Sequence, residues 1–191
     1  MLPPRLRVCA PGFTVLALLL AGGLTASRAE GQAVSTGDLD GMSAVPPTPS
    51  AGTGTADVTV DGDQLTVDLS FSGLTGNSIA SHLHCCTAAG TNVGVAILFP
   101  GFPTGVTSGT YSHTFDLASA ATYLTAFVNA NGGTALGAKA ALLDGMARKH
   151  SYTCVHTTDY PGGEIRTHLA FASFADGFES ADLFDWSAAV P

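Results

Sequence analysis

The sequence predicts a mainly β protein: an antiparallel β-sandwich of six or more short strands with a helical insertion around residues 118–149. Three observations carry that expectation. Apolar residues alternate with polar ones at Ala56, Val58 and Val60 and again at Leu65, Val67, Leu69 and Phe71. That period of two puts one strand face in a core and the other in water. Turn-forming clusters, Asp61-Gly62-Asp63 and Pro161-Gly162-Gly163, separate such runs. Between Ala118 and Lys149 the alternation stops and the chain becomes rich in Ala and Leu.

The elements follow in order. Residues 1–29 have the layout of a secretory signal peptide: Arg5 and Arg7, then an apolar run from Phe13 to Leu20, then Ser27 and Ala29 at cleavage-site positions. The apolar run falls short of the roughly 20 residues a membrane span needs. Residues 30–54 are rich in Gly, Ser, Thr and Pro, with Pro46, Pro47 and Pro49 interrupting any ladder. Residues 30–37 read as a linker and the first strand as starting near Asp38. The Ala56 and Leu65 runs form a hairpin about the Asp-Gly turn. Ser81–Cys86 is a short strand, followed by a polar loop and the apolar run Val93–Phe99. Tyr111, His113, Phe115 and Leu117 alternate as another strand. Gly132-Gly133 divides the Ala-rich stretch, and Ala138, Leu142 and Met146 recur at helical spacing in its second half. Tyr152–Thr157 and Glu164–Phe171 return to strand. Residues 38–172 thus make one domain, and residues 173–191 an acidic tail.

Removal of the leader leaves four basic residues against fifteen acidic ones, a formal charge of −11 where the whole chain has −8. Such a balance argues against nucleic acid or an anionic membrane as partner, since both need basic patches. It leaves an extracellular protein or a metal ion. About 160 residues remain, enough for one domain with a real core.

Three segments together resemble the CHRD (chordin-type) domain, in its secreted, bacterial, stand-alone form. Gly41–Pro47 (GMSAVPP) resembles the family's N-terminal sGxxEvPP signature. Ser81-His82-Leu83-His84 resembles its central aHiH strand. Cys154-Val155-His156-Thr157 with Pro161-Gly162-Gly163-Glu164-Ile165-Arg166 resembles its closing vNvHT…pGGEIRG signature. Position 154 holds Cys where the family commonly has Asn, Thr167 stands where a Gly often follows the Arg, and Ala44 replaces a usual acidic residue. The resemblance implies an immunoglobulin-like sandwich and an extracellular location. The tail from Phe174 to Ser187 is similar to the DGFESG…WS ending of some exported bacterial proteins.

One constellation has the composition of a chemical site. His82 and His84 are two apart on a strand, so both leave the same face. A His-x-His pair suits copper or zinc, and His156 is the candidate third ligand. Glu164 and Arg166 share a strand face, either as an ion pair or as outer partners of the histidines. The alternative is that the three histidines hydrogen-bond across a buried sheet and set its register. Beyond the leader, three cysteines remain. Adjacent cysteines seldom bridge each other. Cys154 is therefore expected to bridge one of the pair; strand parity favours Cys86 beside the histidines, with Cys85 on the opposite face as the unpaired thiol, and a Cys85–Cys154 bridge is the alternative if the strand register differs by one.

No nucleophile elbow, phosphate loop or dinucleotide fingerprint is present, so no catalytic residues are assigned. The first functional expectation is a secreted binding or structural module without catalytic activity. The second is a copper- or zinc-binding protein. The third is an oxidoreductase using that metal, because the copper centre of Cu/Zn superoxide dismutase also uses a His-x-His strand on a β-sandwich. No fourth ligand or zinc loop accompanies that likeness of spacing.

Overall fold

The computed structural model describes residues 32–171, so the expected leader and the acidic tail from residue 173 lie outside the described residues. Eight strands, β1 (Ala33–Asp40), β2 (Thr53–Asp61), β3 (Gln64–Ser72), β4 (Ser78–Cys85), β5 (Val95–Leu98), β6 (Gly109–Asp116), β7 (Ser151–Thr157) and β8 (Ile165–Leu169), form one antiparallel sheet in the order β5-β4-β7-β8-β1-β2-β3-β6. The protein is mainly β, as expected, and the two layers of the sandwich are the two halves of one curled sheet. Its ends face each other across the core. Phe99, just after β5, stacks on Tyr111 of β6 with ring centroids 5.1 Å apart, and Phe102 stacks on Phe71 of β3 at 5.4 Å.

The alternating runs supply the inner face. Ala56, Val58 and Val60 of β2 and Leu65, Val67, Leu69 and Phe71 of β3 are all buried, joined by Leu83, Val155, Ile165 and Leu169 from the other half. Each fully buried aliphatic side chain stabilises the fold by roughly 1.5–3 kcal/mol. The insertion contains a 3-10 turn (Ala120–Thr122), α1 (Thr125–Ala130) and α2 (Ala135–Ala147). Thr134 caps α2, its side chain accepting from the Gly137 N–H at 3.1 Å. Ala138, Leu142 and Met146 form the buried stripe that their spacing predicts. A Cβ at Gly145 would run into Cys85 Sγ, so the glycine is what lets α2 lie on the end of β4.

β1 starts at Ala33, earlier than the expected start near Asp38, and takes in most of the stretch expected to be a linker. Its inward positions explain why the alternation was not visible. Ser35 is buried and its hydroxyl accepts from the Ala170 N–H at 2.8 Å. At Gly37 a Cβ would meet Thr167 of β8. Small residues are required where β1 is squeezed between β2 and β8, so the strand lacks the apolar signal.

Candidate metal centre

The site lies on the outer face of the sheet, where β4, β7 and β8 run side by side. Register places His82 opposite Cys154, His84 opposite Tyr152, and Cys154 opposite Arg166. Side chains of directly paired residues leave the same face. His82, His84, Tyr152, Cys154, His156, Arg166 and His168 therefore share one surface, behind which Leu83, Val155 and Ile165 enter the core. Two loops cover it. The segment between β4 and β5 lies over Tyr152 and Arg166: Arg166 donates to the Thr91 carbonyl at 3.0 Å and to Asn92 Oδ1 at 3.1 Å. The turn at Pro161 and Gly163 covers Cys154 from the other side, and a Cβ at Gly163 would lie 3.5 Å from the sulfur. Gly163 has φ +116°, a conformation few side chains adopt.

The three histidines converge. One ring nitrogen from each of His82, His84 and His156 lies within 4.8 Å of the other two. His82 Nδ1 is 3.3 Å from His156 Nε2. The outer nitrogens of two of the rings are fixed by the backbone. His84 Nδ1 is 2.8 Å from the Val93 carbonyl and His156 Nδ1 is 2.8 Å from the Pro161 carbonyl. Only an N–H satisfies a carbonyl, so the protons of these two neutral rings sit on Nδ1 and each Nε2 presents a lone pair inward. A backbone carbonyl holding the remote N–H is the usual support of a metal-binding histidine. His84 also stacks flat on Tyr152, with centroids 4.5 Å apart.

The rings are held neutral. Burial, then the neighbouring His156 and His84, lowers the pKa of His82 to about 4. Burial also lowers His84 to about 4, with His156 and Arg166 adding to the shift against the opposing bond to Val93. His156 is lowered by burial, partly offset by its bond to Pro161. In the unfolded chain these imidazoles protonate near their ordinary value of about 6.5. Between about pH 6.5 and pH 4 the unfolded state thus binds more protons than the folded one, and stability falls as pH falls. The metal-free protein is expected to lose thermal stability on acidification through that window and to be level just above it. A midpoint that stays flat down to about pH 4.5 would mean that the rings charge without penalty.

Glu164 and Arg166 do not pair. Among the described residues the ion pairs are Lys139–Asp63 and Arg148–Asp144. Glu164 is fully buried, but it precedes β8 rather than lying in it, and its carboxylate turns away from the histidines. One oxygen accepts from Ser50 Oγ at 2.5 Å and the Thr75 N–H at 2.6 Å. The other accepts from Thr157 Oγ1 at 2.7 Å and the Gly76 N–H at 3.2 Å. Burial alone raises its pKa, and these bonds together outweigh burial and hold the carboxyl below its ordinary value. It is a clamp between loops, not an outer partner of the histidines. Arg166 does face them, with its guanidinium 3.4 Å above the centre of the Tyr152 ring.

The expected Cys86–Cys154 bridge is also corrected. Cys85 and Cys86 are bonded to each other, and Cys154 is free and buried. β4 ends at Cys85, so the alternation that would set Cys86 beside His84 stops one residue short of it. Cys86 Sγ instead turns toward α2, 3.3 Å from the Ala141 carbonyl. Cys85, expected to be the unpaired thiol, keeps its expected place on the opposite face, opposite Ser151. Cys154 is left among the histidines, 3.2 Å from His156 Nε2 and 3.7 Å from His84 Nε2. Burial pushes its thiol up to about 12, against a downward pull from Arg166.

Sequence reasoning assigned no site role to His168, Tyr152 or Asn92. His168 Nε2 lies 3.1 Å from an Arg166 nitrogen and extends the polar face along β8. The register of β7 with β8 was the signal needed to find it.

No curated protein and no solved structure matches the chain. One family model does, that of the CHRD domain, over residues 35–169. At the level of that family, the match supports an extracellular binding or structural module. No helix among the described residues is long and apolar enough to cross a membrane. The matched span holds all three motifs, the whole curled sheet apart from the first residues of β1, and the histidine cluster: the chain belongs to the CHRD domain family.

Proposed function

We propose that this chain is a secreted CHRD-domain module that binds one copper or zinc ion through His82, His84 and His156, without catalytic turnover. The observation that carries this reading is the convergence of three neutral imidazoles from two adjacent strands, with all three ligand nitrogens inside 4.8 Å. Two of those rings are aimed by backbone carbonyls on covering loops. Imidazole nitrogen is a good ligand for either ion. The competing reading is structural: the His82–His156 contact ties β4 to β7 with no metal involved.

Elemental analysis separates the two. The exported protein, purified without a chelating tag and dialysed after exposure to copper or to zinc, should retain about one equivalent of one of them, as a single tetrahedral-type site holds one ion. His84→Ala and His156→Ala should retain none. Wild-type protein that keeps neither metal would leave the histidines as register-setting residues.

A further inference from the structure

Cys154 is the feature that the three-histidine site leaves unexplained. It is a buried thiol, 3 % exposed, on the central strand of the histidine face. It makes no disulfide. Its polar contacts are the ring nitrogens of His156, at 3.2 Å, and His84, at 3.7 Å. An ion about 2.0–2.1 Å from imidazole nitrogens and about 2.3 Å from a thiolate, in a tetrahedral arrangement, would set nitrogen–nitrogen distances near 3.4 Å and nitrogen–sulfur distances near 3.6 Å. The His82–His156 separation of 3.3 Å lies close to the first value, and the sulfur distances to two of the three rings, 3.2 Å and 3.7 Å, bracket the second. The group compact to within 4.8 Å is the three histidines alone, so the sulfur closes on His82 only as the ion binds.

We propose that Cys154 Sγ is a fourth ligand to the ion held by His82, His84 and His156, which makes the site a closed centre of three nitrogens and one sulfur. This rests on the metal-binding reading above. Charge supports it. Three neutral imidazoles bring no negative charge to offset a dication, and Arg166 adds a positive one beside them. A thiolate at Cys154 supplies the missing anion. Its proton leaves to solvent as the metal–sulfur bond forms. Four protein ligands leave no open position for a substrate, the arrangement of structural and storage sites rather than catalytic ones. The centre is therefore suited to holding an ion tightly, and a thiolate ligand selects Cu(I) or Zn²⁺ over harder cations.

The test uses Co²⁺ as a spectroscopic stand-in on the full mature protein. Wild type should bind one Co²⁺ and show a thiolate-to-metal charge-transfer band in the near ultraviolet, and the Cys85→Ser/Cys86→Ser double variant should keep it. Cys154→Ser should lose the band while the histidines still hold cobalt, with affinity lower by more than about tenfold, the lower range of what even outer partners of a ligand contribute. Should Cys154→Ser fail to fold, X-ray absorption on zinc-loaded wild type decides the matter by the presence or absence of one sulfur scatterer at about 2.3 Å. Cobalt bound with no charge-transfer band, or a shell of nitrogen and oxygen alone, overturns the role of Cys154 and leaves the histidine site standing. No metal bound by wild type overturns both.

Discussion

Glu164→Ala is expected to destabilise the protein by about 3–5 kcal/mol, the range for removing one partner from a buried, charged, hydrogen-bonded arrangement. The carboxylate collects two hydroxyls and two backbone N–H groups from segments far apart in sequence, around Ser50, Thr75–Gly76 and Thr157. Alanine strands the Thr75 and Gly76 amides, each worth roughly 1–3 kcal/mol when left without a partner. Glu164→Gln is the sharper experiment. Ser50 and Thr157 can rotate their hydroxyls to accept from an amide, but a backbone N–H cannot reverse. The Thr75 and Gly76 amides point at different oxygens, so whichever way the glutamine sits, one amide faces its NH₂ group. A loss smaller than that of alanine but still above about 1 kcal/mol is expected in chemical denaturation. A glutamine variant as stable as wild type would show that the clamp is not held by its charge.

The second large effect is linkage between metal and stability. An ion that binds the folded chain at one hundred times its dissociation constant stabilises it by about 2.7 kcal/mol, and at one thousand times by about 4.1 kcal/mol. The denaturation midpoint of wild type should therefore climb with zinc or copper concentration. His84→Ala should start lower, because it also empties the stacking position on Tyr152, and its midpoint should not respond to metal. The metal-dependent increment is the quantity to compare, since it removes the packing loss common to both conditions. An increment in His84→Ala equal to that of wild type would place the ion elsewhere.

Much of this was visible in the sequence, and the exceptions share a cause. Period two marked β2, β3 and β6 because those strands bury one apolar face. The helix was visible in Ala138, Leu142 and Met146 because it lays a single stripe on the sheet. The convergence of His82, His84 and His156 followed from parity and from motifs that fold into adjacent strands. The failures came where local rules end. β1 was hidden because close packing against β8 calls for Ser35 and Gly37, which carry no apolar signal. Alternation was carried one residue too far at Cys86, where the strand had already stopped. Glu164 was assigned a face by counting back from Arg166, although it lies before β8 begins. Parity holds inside a ladder and says nothing about the residue beyond its last rung.

The order of strands also governs when the molecule can exist. β1 and β8, the first and last strands among the described residues, are neighbours at the centre of the sheet, and their pairing joins the half containing the histidines to the half built on β2, β3 and β6. A chain that emerges amino terminus first from a ribosome or a translocation channel has half a sheet and an open edge until the final strand arrives. Non-local closure of this kind is slow, because the connecting chain must be ordered before the contact forms. The two halves of the sheet stay unjoined until β8 is available. His156 arrives only with β7, so the three histidines come together among the last events of folding.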